Sequence, residues 1–252
     1  MFSNDSKKSF LPQCDGRALD FIKICAALLM VVDHMNVIWF DETFFPLHLL
    51  GRAAFPLFCY AVAVAVMKKE GAGGAGRYVI KLLILGALVQ PFYQPALGAG
   101  TGNVIFTLAA GAAFAALSPG IRPGQIYILY VAAALSMLAP DALEFGLAGI
   151  MLPSAIVLAL RGQRGVYPFL ILLLFFINAG GMLEPLRQRG GRDVLLAAYL
   201  AIGLASVLLP WLALEAAQSM QQTGRYLSKY SLHVFYPAHL ALLKLLGLVF
   251  FK

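Results

Sequence analysis

The sequence predicts an all-α integral membrane protein, a polytopic bundle of about 8–10 transmembrane helices with a cytoplasmic N-terminus. Three observations carry this. First, 61% of the 252 residues are hydrophobic and 12% are charged, about half the ~25% charge of a soluble domain. Second, the apolar residues form long blocks rather than alternating with polar ones, and the mean hydropathy is +0.81. Third, basic residues concentrate in alternate connections. Disordered, collagen-like and disulfide-scaffold classes are excluded on the same grounds. The net charge of +7 reads as loop charge that orients the chain, with the lipid bilayer as its partner and no nucleic acid. Three cysteines at unrelated spacings (Cys14, Cys25, Cys59) indicate neither a disulfide framework nor a metal site.

Nine apolar blocks follow in order. The first, Ala18–Phe40, comes after a polar segment at 1–17 and no small-residue cleavage site follows it, so a removable signal peptide is not expected. Leu50–Met67 opens on Arg52 and Pro56; this proline removes a helix hydrogen bond to the carbonyl of Arg52, and so bends the helix or marks its first turn. Tyr78–Leu97 follows the stretch Gly71–Gly76, whose glycines form a plain flexible loop, since no strand or Lys-Ser/Thr accompanies them. Val104–Leu117 starts after Asn103, a candidate N-cap. The blocks Gln125–Ala139, Gly146–Leu160 and Val166–Asn178 are short. Val194–Leu214 and Lys229–Phe251 complete the set. With no linker or repeat, residues 1–252 read as one transmembrane domain.

Lysine and arginine set the orientation. With the N-terminus inside, the inner loops hold Lys7, Lys8, Arg17, Lys68, Lys69, Arg77, Arg122, Arg161, Arg164 and Arg225. The outer connections carry Asp41, Glu42, Asp141 and Glu144. Arg187, Arg189 and Arg192 are the exception, being outside in a strict nine-span count.

A charged group at mid-bilayer costs at least ~2.5–3.5 kcal/mol, so such groups face the protein interior and mark candidate sites. Asp33-His34-Met35-Asn36 lies toward the outer end of the first block. A stripe through Lys23, Ala27, Met30 and His34 keeps His34 on one helix face, while Asp20 and Lys23 are spaced to pair. Arg52 descends beside that end and is placed to neutralise Asp33. In the last block, Tyr236 and His239 share a face, and Pro237 frees the carbonyl of His233 and opens the helix at mid-membrane. Each feature has a plainer reading as helix packing or capping. A histidine beside a carboxylate is a general base at neutral pH, and arginine and asparagine are donors for an oxyanion. Acyl transfer, proton-coupled transport with Asp33 and His34 as a relay, and bis-histidine haem ligation all use such a set.

The runs LDFIKICAALLMVVDHMNVI, LLGRAAFPLFCYAVA, TGNVIFTLA, FGLAGIMLP and VFYPAHLALL occur in this order. Together they resemble the TraX family, inner-membrane proteins that acetylate conjugative pilin, over nearly the whole chain. The chain is also similar to broader multi-span membrane acyltransferases with an essential histidine on an early helix. The resemblance implies transfer of acetyl from acetyl-CoA to the N-terminal amine of pilin, in the bacterial inner membrane. It implies His34 as general base with Asp33 and Arg52 as catalytic companions, and Asn36, Asn103, Tyr236 and His239 around the substrate. Acetyl-CoA is cytoplasmic, so its phosphates are expected on inner cations drawn from Lys68, Lys69, Arg77, Lys81, Arg161 and Arg164.

Overall fold

The computed structural model describes residues 11–71, 73–98, 100–136, 145–179, 192–220, 222, 224–228 and 230–250. Lys7, Lys8, Asp141, Glu144, Arg187 and Arg189 lie outside these. Among the described residues there are ten α-helices and no strand: α1 (Gly16–Phe40), α2 (Phe45–Gly51), α3 (Ala54–Lys68), α4 (Gly74–Leu97), α5 (Val104–Leu117), α6 (Pro123–Ser136), α7 (Gly146–Leu160), α8 (Tyr167–Ala179), α9 (Arg192–Gln218) and α10 (Ser231–Phe250). Each of the nine blocks contains a helix. The second block begins earlier than its hydropathy suggested: α2 and α3 form one crossing unit, Phe45–Lys68, broken at Arg52 and Ala53. Pro56 falls in the first turn of α3, where its missing N–H is least costly. In α10, Pro237 sits in the second turn of an otherwise continuous helix rather than at its middle.

Five segments are long and apolar enough to cross a membrane: Gly16–Phe40, Phe45–Lys68, Gly74–Leu97, Leu200–Gln218 and Ser231–Phe250. The shorter α5, α6, α7 and α8 have 13 to 15 residues, roughly 20 Å at 1.5 Å per residue against a ~30 Å hydrocarbon core. Two of them pack at the centre. Every residue from Leu152 to Leu160 in α7 is buried, as expected of a helix that is apolar all round. α5 runs parallel to it at close range: a Cβ on Gly111 would meet the Pro153 ring at 2.9 Å, and one on Gly149 would meet Thr107 at 2.9 Å. Small residues allow this approach where lipid supplies no hydrophobic drive. α4 and α10 instead turn Ile84, Leu88, Phe92, Val234, Leu245 and Val249 outward, as lipid-facing helices do.

α1 and α10 run side by side in the same direction, tied at three levels. At the start, fully buried Asp20 accepts hydrogen bonds from the backbone N–H groups of Tyr226 and Leu227, both 3.0 Å, with Arg225 at 3.4 Å and Lys23 at 3.3 Å. At the far end, Trp39 Nε1 donates to Leu243 O at 3.0 Å. Between them lies His34 against His239. The Gly16 end of the bundle gathers Arg17, Lys68, Lys69, Arg77, Arg122, Arg161, Arg164 and Arg225, while Asp41 and Glu42 follow the opposite end of α1.

Candidate active site

His34 stands eighteen residues into α1, roughly 27 Å along the axis from Gly16. Its Nδ1 lies 2.8 Å from Nε2 of His239, and the two rings are nearly parallel, 7° apart. Both residues are buried, 5% and 6% exposed. His239 Nδ1 in turn lies 3.1 Å from the carbonyl oxygen of Phe235, one turn earlier in α10. A carbonyl only accepts, so His239 Nδ1 carries the hydrogen. In the neutral pair, His239 Nε2 is then a bare acceptor, His34 Nδ1 donates to it, and the lone pair of the dyad resides on His34 Nε2. The backbone thus fixes both tautomers. Tyr236 meets both imidazoles edge-on, with centroids 6.4 Å from His34 and 5.3 Å from His239, and the Phe235 ring stacks on His239 at 5.1 Å.

The ion pair stands one residue away, about 100° round α1 from His34. Arg52 Nη2 donates to both carboxylate oxygens of Asp33 at 3.1 Å, so the pairing anticipated from the short connection is present. Asp33 bonds Arg52, leaving the orientation of His34 to His239. Among the described residues no hydrogen bond joins Asp33 to His34. Two features bring Arg52 in. Gly51 lets α2 touch Asp33, since a Cβ there would lie 2.3 Å from Asp33 Oδ1. The Arg52 guanidinium also sits 5.9 Å from the ring of Phe145, which stacks on Phe55 at 3.9 Å. Asn36 Oδ1 accepts from the backbone N–H of Phe44 at 3.2 Å, fastening the start of α2 to α1.

Asn103 is fully buried at the corner of α4 and α5. Its Oδ1 caps α5 by accepting from Ile105 N at 3.0 Å, and its Nδ2 donates to Gly86 O at 2.8 Å and Gln90 Oε1 at 2.7 Å. Its amide is therefore engaged by structure. His233 lies apart from the dyad, against Tyr230.

The expected inner cations share the Gly16 end without converging on one point. Lys68 pairs with Asp15 at 3.8 Å, Lys69 covers the Tyr78 ring at 5.2 Å, and Arg161 pairs with Glu70. Arg77 and Lys81 lie in the first turns of α4, and Arg164 begins a 3₁₀ turn before α8. A cavity of about 330 Å³ opens at this end, lined by Gln13, Cys14, Asp15, Val64, Met67, Lys68 and Leu160. Cys14 was not among the sequence candidates; burial pushes its thiol up from the ordinary value. Among the described residues no three His, Cys, Asp or Glu side chains converge as metal ligands. For the bis-histidine haem reading, the two facing nitrogens are hydrogen-bonded at 2.8 Å, whereas trans ligation of one iron by both would set them about 4 Å apart, two bonds of ~2.0 Å in line.

Fold and site together define a polytopic helical membrane protein whose interior holds a histidine dyad beside a carboxylate–guanidinium pair. The chain belongs to the TraX family: the family model described as TraX protein matches residues 18–247. It is 26% identical to a probable fimbrial assembly protein FimC, serogroup H1, of Dichelobacter nodosus, over 90% of this chain and 96% of that protein. No solved structure matches the chain.

Proposed function

We propose that this protein is a membrane-embedded acetyltransferase, moving acetyl from cytoplasmic acetyl-CoA to the N-terminal amine of a pilin subunit at the bacterial inner membrane. The observation that carries the reading is the His34–His239–Phe235 chain, which presents a base of fixed tautomer in a buried site. Membership of the TraX family and likeness to a fimbrial assembly protein support a pilin-related role. The cations at the Gly16 end suit a cytoplasmic face.

In the reaction, His34 Nε2 removes a proton from the acceptor amine as its nitrogen attacks the thioester carbonyl carbon. An α-amino group has a pKa of about 7.7–8.0, so a modest base suffices. The carbonyl π electrons move to oxygen, and the positive charge of Arg52, held in place by Asp33, stabilises the oxyanion. Collapse re-forms the carbonyl and breaks the carbon–sulfur bond; His34 returns the proton to the departing thiolate. His239 shares the imidazolium charge through the 2.8 Å bond while it exists. The thioester has to travel most of the length of α1 to meet His34, entering between helices from the Gly16 end.

The test is purified protein in liposomes with acetyl-CoA and a free-amine pilin peptide, read by mass spectrometry of the peptide. Wild type adds one acetyl group and His34→Ala does not. Unmodified peptide with wild type, together with proton-coupled solute flux that needs no CoA, would replace this reading by a transporter.

A further inference from the structure

A third histidine belongs to the same interior. His48 lies on α2, 6% exposed, and its Nε2 is buried without a hydrogen-bond partner. Asn36, 1% exposed, leaves its Nδ2 in the same condition. The two belong to one corner. Asn36 Oδ1 receives the Phe44 N–H, and the Phe44 carbonyl receives the His48 N–H at 3.2 Å. The His48 carbonyl then accepts from Arg52 N at 3.1 Å, and His48 lies within reach of the charges of Arg52 and Asp33. Through Gly51 and Arg52 the corner meets Asp33, the residue before His34 in α1.

Buried polar atoms are nearly always satisfied, and leaving one bare carries the full cost of its desolvation. Two at one corner, beside a site that must admit a second molecule, call for a ligand that supplies both partners. The Asn36 orientation is fixed because its oxygen faces a backbone N–H, so Nδ2 can only donate and the ligand must offer an acceptor. His48 Nε2 takes either role. A peptide group carries both a carbonyl and an N–H and so offers a partner to each of these atoms; an alkylamine has no acceptor for Asn36.

We infer that Asn36 and His48 form the subsite for the peptide backbone that follows the acceptor amine. This rests on the acetyl-transfer reading and adds to it how the acceptor is recognised: main-chain groups are read at the α2 corner, which restricts the acceptor to an N-terminal peptide rather than a small amine. The rings of Phe40 and Phe44 meet at 4.9 Å beside this corner, at the far end of α1.

The experiment measures binding of a free-amine hexapeptide, its Nα-acetylated form and butylamine to the full chain in detergent, without acetyl-CoA. His48→Phe and His48→Gln are compared with wild type, and the thermal transition of each variant reports its folding. His48→Phe weakens both peptides about tenfold, the loss of one buried hydrogen bond. His48→Gln, which keeps a donor and an acceptor at similar reach, recovers most of that loss, and butylamine is indifferent to either change. Folded His48→Phe that binds peptide as wild type does, or wild type that binds no peptide, overturns the subsite. Thiol release measured alongside separates the two readings. Peptide binding that depends on His48 without turnover removes acetyl transfer and keeps the subsite, whereas turnover with binding indifferent to His48 does the reverse.

Discussion

Gly51→Ala is the smallest change that tests how the ion pair is built. The new methyl would stand 2.3 Å from Asp33 Oδ1, 2.5 Å from Asp33 Cβ and 2.7 Å from its Cγ. Carbon contacts are comfortable at about 3.5–4.0 Å. The carboxylate oxygen can rotate away, but Cβ is fixed to the backbone of α1, so relief requires α1 and α2 to part by about 1 Å. Overpacking of this kind costs about 1–3 kcal/mol, and the retreat of Asp33 also loosens its bonds to Arg52. In detergent, Gly51→Ala should therefore melt below wild type and lose turnover together with stability. Combining it with Asp33→Gly, which removes the atoms the methyl strikes, should give less than the sum of the two single effects. A Gly51→Ala protein that melts and turns over as wild type does, or strict additivity in the double variant, would refute the close approach of α2 to Asp33.

Other substitutions probe the remaining elements. His239→Ala removes the acceptor for His34 Nδ1 and should lower kcat by one to two orders of magnitude. His239→Gln, whose carbonyl oxygen can accept the same bond, should recover part of that rate in the thiol-release assay. Asp20→Ala strips the partners from Tyr226 N, Leu227 N and Arg225 and should destabilise the fold by about 1–3 kcal/mol, read as a lower melting transition. Asn103→Ala removes the α5 cap, worth about 1–2 kcal/mol, and takes the side-chain donor away from Gly86 O and Gln90 Oε1, the latter keeping only its bond from Asn103 N. Asn103→Asp keeps the cap oxygen but turns a second acceptor toward Gly86 O and Gln90 Oε1 in a fully buried corner, so it should not recover the wild-type melt.

The helices were readable from the sequence because lipid imposes long apolar blocks, and their edges are marked by residues with local duties. Asn103 caps α5, Pro56 sits in the first turn of α3, and Asp20 meets Lys23 three residues on. The Asp33–Arg52 pair was also legible, since a short connection leaves Arg52 few places to go. The dyad was only half visible. His34 and His239 each stood out as intramembrane histidines, yet their direct bond spans 205 residues, and no local periodicity sets the register between the first helix and the last. That register comes from Asp20, which was legible as a partner for Lys23 but not as the anchor for the 225–227 backbone. His48 carried no signal, because α2 looked like a connection, and of its residues only His48 and Gly51 are buried. A buried histidine without a partner becomes visible only once the packing around it is known.

In the proposed reaction His34 is the base of an acetyl transfer, held in its tautomer by His239. The most direct test of this role is the rate of thiol release from acetyl-CoA in the presence of the peptide acceptor, wild type against His34→Ala, with folding verified by the melting transition. His34→Ala should lose about 10²–10⁴ in kcat with the fold retained. A folded His34→Ala protein that keeps the wild-type rate would contradict it.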